Sequence, residues 1–88
     1  MQISNKRENE IFEYRAKVVS SNIERIRKKA GYSQMELAYL INSSQSVIHY
    51  AEKGRNRANK AAVPDLFTLE KIAMVCMVEL TDIIFPNG

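Results

Sequence analysis

The sequence predicts an all-α fold, a compact bundle of five helices, or six if the first helix is broken. Three observations support this prediction. Apolar residues recur at spacings of three, four and seven over most of the chain, which is the helical period. Signals that start and stop helices punctuate this pattern. Only 3 glycines and 2 prolines interrupt the 88 residues, and strand patterns are weak, so one small helical domain is expected.

The first helical pattern spans residues 5–30. Three consecutive cations near its end favour a helix C-terminus there. Ser21 with Glu24, however, offers a second helix start in the middle of the pattern. The sequence leaves open one long helix or two, and it slightly favours a break near this serine. We therefore divide the chain into an N-terminal helical extension over residues 1–20 and a domain over residues 21–88.

Two short helical patterns joined by a tight turn follow this segment. Ser33 and Glu36 form a capping box ahead of the first pattern, and Ser44 can cap the second. Asn42 suits the turn because Asn tolerates positive φ, and Gly54 stands where a left-handed C-cap belongs. Helices of about two turns each are unstable alone. They must pack across each other, which is the geometry of a helix-turn-helix motif.

The remainder of the chain begins as a polar, basic loop and returns to helical periodicity near Pro64. Pro64 and Asp65 suit the first turn of a fourth pattern. A last short apolar stretch over residues 80–85 is stopped by Pro86, since proline cannot continue a helix.

The positive charge of the chain is concentrated in its middle. The net charge is +3, but residues 21–60 carry eight Lys and Arg against three Glu, whereas residues 61–88 carry one Lys against four acidic residues. This clustering around the helix-turn-helix motif indicates a polyanionic partner on that face. No apolar run is long enough to span a membrane, and a single cysteine fits a reducing cytoplasm.

Residues suited to catalysis are few. The one His and the one Cys lie far apart in sequence, and there is no phosphate loop, nucleophile elbow or metal-ligand spacing. The sequence therefore predicts no enzyme, no cofactor and no metal site. Cys76 is interpreted as a small core residue. Met35, Met74 and Met77 are interpreted as core filler or as interface residues.

From Ile23 to Ile84 the chain resembles the Cro and phage-repressor type of helix-turn-helix, also called the XRE family. The central part of the match has no gap. The residues that carry it are Ile23-x-x-Ile26-Arg27, Gly31-x-Ser33-Gln34, Leu37-Ala38, Ser44-x-Ser46-x-Ile48, Glu52-x-Gly54, Pro64-x-Leu66-x-x-Leu69-x-x-Ile72-Ala73 and Val78-x-Leu80. The resemblance implies a bundle of the lambda-repressor-like DNA-binding type, with an N-terminal extension outside the family pattern.

The resemblance also implies which residues contact DNA. In this family the second helix of the pair lies in the major groove, and its N-terminal residues meet base edges. Gln45 begins that helix, and Gln34 stands where the family's glutamine contacts a phosphate and can brace Gln45. The implied base contacts are Gln45, Ser46, His49 and Tyr50. The implied phosphate contacts are Arg27, Ser33, Gln34, Ser44, Lys53, Arg55, Arg57, Asn59 and Lys60.

Some positions concern structure rather than contact. Arg27 and Glu52 occupy positions that form a partly buried ion pair in phage repressors, which would tie the first helix of the fold to the DNA-reading helix. The chain departs from the family at Met77, where a glycine usually closes the fourth helix, so that turn is expected to be built differently. Asn42 replaces the commoner turn glycine, and the loop after Gly54 is longer than typical.

These observations predict a sequence-specific DNA-binding transcriptional regulator, namely a repressor encoded by a bacterium, phage or plasmid. It would act in the cytoplasm as a homodimer on a palindromic double-stranded operator. The alternative is a protein-interaction module on the same fold, such as an antitoxin or a coactivator. That alternative would use an N-terminal apolar stripe made of Ile11, Phe12, Val18 and Val19.

The N-terminal apolar stripe has two interpretations. It is either extra core packed on the domain, which is slightly favoured, or a surface that dimerises or binds a partner. The dimer surface could be this stripe or the C-terminal stretch of residues 80–85.

Overall fold

A computed structural model describes residues 4–86 of the chain. It contains five helices, α1 (Ser4–Ala30), α2 (Gln34–Leu40), α3 (Gln45–Lys53), α4 (Leu66–Cys76) and α5 (Leu80–Ile84). No strand occurs within these residues, where the extended pairing is limited to one bridge between Arg55 and Ala61. The predicted all-α, five-helix fold is confirmed. None of the helices in this range is both long and apolar enough to cross a membrane.

The expected break near Ser20 does not occur, because α1 is one helix of 27 residues. Ser21, the expected helix start, lies inside this helix, and its predicted capping partner Glu24 pairs with Lys28 at 2.9 Å instead. The hydroxyl of the neighbouring Ser20 donates to the carbonyl of Lys17, within the same helix. Ala16, Val19 and Ile23 are buried on one continuous face. Packing of that face keeps the helix continuous through Ser20 and Ser21. The division of the chain at residue 20 stays a prediction.

Each helix contributes one large, fully buried side chain to the core. These side chains are Ile23, Leu37, Ile48, Ile72 and Ile83. Burying a side chain of this size stabilises the fold by about 1.5–3 kcal/mol. α1 packs on α3, α4 and α5, and α2 packs on α3 and α4. The two short helices of the motif are therefore stabilised by tertiary packing rather than by their own length.

The N-terminal half of α1 extends beyond this core. Every side chain from residue 6 to residue 15 is exposed, including Ile11 at 48% and Phe12 at 65%. Val18 is half-buried and Val19 is buried. The interpretation of the N-terminal apolar stripe as extra core is therefore wrong for Ile11 and Phe12, since no other helix reaches that far along α1.

Met77 closes α4 in the left-handed conformation, with φ 59° and ψ 45°. The N–H of Val78 donates to the carbonyl of Ala73 at 2.9 Å, and the N–H of Met77 donates to that of Met74 at 3.2 Å. This is the hydrogen-bond pattern that glycine usually closes. The expectation of a different turn is wrong, and the chain accepts the cost of a side chain at positive φ, about 1–2 kcal/mol. Met35, Met74 and Met77 are exposed, so these three methionines do not fill the core.

A buried asparagine joins the middle of α1 to the end of α5. The Nδ2 atom of Asn22 donates to the carbonyls of Ile83 at 2.9 Å and Phe85 at 2.8 Å. Its Oδ1 accepts from the guanidinium of Arg25 at 3.2 Å. All of its polar atoms are thus paired, and a buried pair of this kind is costly to break. The contact fixes the end of α5 against the middle of α1.

Candidate nucleic-acid interface

Local hydrogen bonds define both helices of the motif. Ser33 accepts from the N–H of Glu36 at 3.0 Å, and the Glu36 carboxylate accepts from the N–H of Ser33 at 2.7 Å. The hydroxyl of Ser44 accepts from the N–H of Val47 at 3.4 Å. Asn42 takes the turn with φ 58° and Gly54 ends α3 with φ 70°. Both predicted serine caps, the turn and the C-cap therefore lie where the sequence placed them.

An ion pair between Arg27 and Glu52 joins α1 to α3. Arg27 donates from Nε to Glu52 at 2.5 Å and from Nη2 to the other carboxylate oxygen at 3.0 Å. Its Nη1 donates to the carbonyl of Tyr32 at 2.8 Å. The hydrogen-bonded carboxylate raises the pKa of Arg27 above its ordinary value, against the opposing effect of burial. Each of the three guanidinium nitrogens donates one hydrogen bond and the residue is buried, so Arg27 takes its predicted place in the ion pair; its contact with a phosphate stays a prediction.

The ion pair continues outward through two glutamines. Nε2 of Gln34 donates to Glu52 at 3.0 Å, and its Oε1 accepts from Nε2 of Gln45 at 3.4 Å. A carboxylate can only accept hydrogen bonds, so Glu52 fixes which end of the Gln34 amide faces inward. The carbonyl of Gln34 must then face Gln45. We call the four residues Arg27, Glu52, Gln34 and Gln45 the glutamine network.

The glutamine network determines what Gln45 presents to solvent. One of its two amide hydrogens is directed at Gln34. The remaining N–H and the carbonyl oxygen are left on the exposed N-terminus of α3. A donor beside an acceptor is the pattern that matches the N6 and N7 edge of adenine in the major groove.

The outer face of α3 is polar and aromatic. Ser46 and His49 are exposed and Tyr50 is half-buried, whereas Ile48 and Ala51 face the core. The rings of His49 and Tyr50 meet edge to face, with centroids 5.1 Å apart. Nζ of Lys53 lies 6.0 Å from the Tyr50 ring centroid.

The basic loop after α3 is folded back toward this face. The side-chain carbonyl of Asn56 accepts from the N–H groups of Ala58 at 2.9 Å and Lys60 at 3.0 Å, which closes a tight turn. Asn59 adopts φ 62° within it. The turn leaves Asn59 and Lys60 exposed, and it places the guanidinium carbon of Arg57 5.3 Å from the Tyr50 ring centroid. The loop thereby extends the positive surface of α3, as a cation held by an aromatic ring.

Arg55 has a different partner from the one that the sequence implied. Its guanidinium donates to both carboxylate oxygens of Glu13 on α1, at 2.9 and 2.7 Å. This two-bond pair occupies the planar face of the guanidinium that would otherwise bind a phosphate. The sequence carries no local signal for the contact, because the two residues are 42 positions apart.

A groove of about 430 Å³ separates α3 from the basic loop and the start of α4. Ser44, Ser46, Tyr50 and Arg57 line it, together with the hydroxyl-bearing Thr68. Among the predicted contact residues, Ser44, Ser46, Tyr50, Arg55 and Arg57 line this groove, whereas Gln45, His49, Lys53, Asn59 and Lys60 lie outside it. Asn56 was not predicted from the sequence. Asn is nevertheless favoured in turns, because its side-chain carbonyl can accept a hydrogen bond from the N–H two residues later. Residues 4–86 contain no cluster of three or more potential metal ligands.

Comparison with known proteins identifies a structural neighbour but no sequence relative. No family model matches the chain, and no curated protein matches it in sequence. The fold is similar to the solution structure of the SOS-response transcriptional repressor LexA from Eubacterium rectale. That similarity has a TM-score of 0.73 at 20% sequence identity, and it covers 85% of this chain and 73% of the other. The chain therefore shares with that repressor a helical fold built around a helix-turn-helix motif.

Proposed function

We propose that this protein is a sequence-specific DNA-binding transcriptional regulator that inserts α3 into the major groove. The observation that carries the proposal is the exposed amide of Gln45, held in one orientation by Gln34 and Glu52. An amide fixed before binding loses less rotamer entropy when it meets a base, which favours discrimination between bases. Adenine is the base whose edge fits the free donor and acceptor.

Other side chains on the same surface have the chemistry of backbone contacts. The start of α3 presents N–H groups and a positive dipole end beside Ser44, a combination that attracts phosphate. Arg57 lines the groove, and Lys53, Asn59 and Lys60 are exposed on the end of α3 and on the basic loop, where they supply charge and donors. We assign phosphate contacts to these residues and to Ser33 and Gln34, and base contacts to Gln45, Ser46, His49 and Tyr50. Arg27 and Arg55 form ion pairs within the fold, and their contact with phosphate remains part of the proposal.

The fold similarity and the charge distribution support the same proposal. The structural neighbour is named as a transcriptional repressor, and the middle of this chain carries the excess of positive charge. We therefore propose repression as the sign of regulation, with the Cro-like branch of helix-turn-helix proteins as the family. The chain would act in the bacterial cytoplasm and bind a palindromic operator as a homodimer, because two-fold symmetric half-sites match paired domains.

Selection of bound sequences from a random pool of DNA duplexes tests this proposal. The wild-type chain is expected to enrich a palindromic consensus with an adenine at one fixed position of each half-site. Gln45→Ala is expected to bind about 10–200-fold more weakly to that consensus and to lose the preference at that position alone, since one bidentate contact is worth about 1–3 kcal/mol. Arg57→Ala should weaken binding to all sequences alike and lower the salt dependence by about one unit.

The matched control is Asn9→Ala, which removes an exposed side-chain amide far from α3. It should select the same consensus with the same affinity as the wild type. Absence of enrichment at moderate salt, from protein with a native circular dichroism spectrum, would overturn the proposal. The protein-interaction function would then be favoured on the same fold.

A further inference from the structure

The N-terminal half of α1 has no helix packed against it within residues 4–86. Residues 6–15 are all exposed, and only Glu13 among them forms an ion pair, with Arg55. Helices shorter than about 12–15 residues are marginal in water without tertiary contacts. This segment is attached to a stable helix, but it still exposes Ile11, Phe12 and Tyr14 to solvent. Such an exposed apolar face is typical of an interface.

One narrow apolar seam runs along this half of the helix. Ile11, Tyr14 and Val18 follow one another at spacings of three and four, which is the a and d pattern of a two-stranded coiled coil. Tyr14 and Val18 also line a shallow groove that Pro86 closes at the far end. Glu13, in contrast, is held by Arg55 on the side of α1 that faces its own domain. The seam is therefore free to receive another helix.

The charges beside the seam identify that helix as a second copy of the same segment. Glu10 and Lys17 lie on one flank of the seam, in the positions called g, and Glu8 and Arg15 lie on the other flank, in the positions called e. The members of each pair are seven residues apart, which is about 10.5 Å along a helix and too far for contact within one chain. None of these four residues forms an ion pair within residues 4–86.

An antiparallel pair of α1 helices satisfies both flanks in a single register. Like flanks then face each other in opposite directions, so Glu10 meets the partner's Lys17 and Lys17 meets the partner's Glu10. The same register places Glu8 against the partner's Arg15 and Ile11 against the partner's Tyr14. It places Val18 against the partner's Arg7, whose aliphatic stem covers it. Four inter-chain ion pairs and one apolar seam therefore agree on one alignment.

A parallel pair fits less well. It would bring Glu10 near the partner's Arg15, but it would place Lys17 near the partner's Asn22, whose amide is already bound to two carbonyls. It would also bring the two domains side by side from Ala16 onward, where α1 begins to pack on its own core. The antiparallel arrangement keeps the two domains at opposite ends of the helix pair.

We propose that the N-terminal half of α1 is a self-association surface, through which two copies of the chain pair as antiparallel helices along Ile11, Tyr14 and Val18. The occupant of this surface is a second copy because the charge pattern complements itself. The inference rests on the homodimer of the proposed function but not on its DNA contacts, since none of these residues is assigned to DNA.

Charge exchange in the full-length chain tests the pairing. Sedimentation equilibrium should show a reversible dimer for the wild type. Glu10→Lys and Lys17→Glu should each weaken the dimer by at least about tenfold, because each substitution replaces two attractive contacts with two like-charge contacts. Mixing the two variants should restore a dimer that contains one copy of each, and the double variant should dimerise again by itself.

A matched control is Glu70→Lys, which changes an exposed carboxylate on α4 and should leave the dimer unchanged. Circular dichroism of each variant establishes that loss of the dimer is not loss of the fold. Three outcomes would overturn the proposal. They are a wild-type chain that stays monomeric, a dimer that Lys17→Glu does not weaken, and a mixture of the two variants that fails to restore dimers.

Discussion

The glutamine network and the N-terminal half of α1 use similar residue types in opposite ways. In the network every charged group is paired inside the fold, and the side chains of Arg27 and Glu52 are only 10% and 5% exposed. In the N-terminal half of α1 the charges are exposed, and Glu8, Glu10, Arg15 and Lys17 form no ion pair among the described residues. The first arrangement fixes the geometry of a surface, whereas the second leaves charge available to a partner.

Burial, rather than the presence of an ion pair, decides how much a charged side chain contributes to the stability of the fold. The Arg55–Glu13 pair has two short hydrogen bonds but remains 32% and 50% exposed. Solvent screens such a pair, which is worth about 0–1 kcal/mol. Removing one member of a buried pair leaves an uncompensated charge, at a cost of about 3–5 kcal/mol.

The largest difference between the two regions is expected when one carboxylate is removed from each. Glu52→Ala should lower the free energy of unfolding by about 3–5 kcal/mol, because it leaves Arg27 buried without its partner. Glu13→Ala should lower it by about 1 kcal/mol or less. Urea denaturation followed by circular dichroism measures both values.

Glu52→Gln provides the more conservative test if the alanine variant does not fold. It keeps the shape of the side chain and should give a smaller loss than Glu52→Ala, since one acceptor oxygen remains. Equal losses of unfolding free energy from the Glu52 and Glu13 variants would contradict the claim that the buried pair stabilises the fold more than the exposed pair does.

A smaller effect is expected at the junction where α1 meets the end of α3. A Cβ on Gly54 would lie 3.0 Å from Oγ of Ser20 and 3.1 Å from the carbonyl oxygen of Ala16, and the residue has φ 70°. Gly54→Ala should therefore cost about 2 kcal/mol, from backbone strain together with the close approach of a carbonyl that cannot move.

Gly31→Ala is the matched control for this junction. Gly31 also has positive φ, at 88°, but a Cβ there would meet nothing within 4 Å. Backbone strain alone should cost about 1 kcal/mol. Thermal or urea unfolding of the two variants separates strain from contact, and a larger loss at Gly31 would contradict the proposed close packing of α1 on α3.

Much of the motif could be predicted from sequence because its signals are local. The capping box of Ser33 and Glu36, the cap at Ser44 and the left-handed Gly54 each depend on a few neighbouring residues. Met77 follows the same local rules. It adopts the left-handed conformation that the hydrogen-bond pattern at the end of α4 requires, although glycine is the usual residue there.

The features that the sequence did not predict depend on residues far apart in the chain. Continuity of α1 through Ser20 and Ser21 follows from packing against α3, which outweighs the preference of Ser21 for a helix start. Arg55 was expected on a phosphate, but Glu13 lies within reach only once α1 extends past the domain. The tie from Asn22 to the end of α5 spans more than 60 positions. Contacts of this kind carry no periodic signal.

The central claim is that the surface formed by the start of α3 and the basic loop binds DNA. The most direct test is titration of ¹⁵N-labelled protein with a short DNA duplex, followed by amide chemical shifts in NMR spectra. We expect the largest changes in chemical shift at the side-chain amides of Gln34 and Gln45 and at the backbone amides of residues 44–50 and 57–60. Shifts confined to the N-terminal half of α1, or to the outer face of α4, would contradict it.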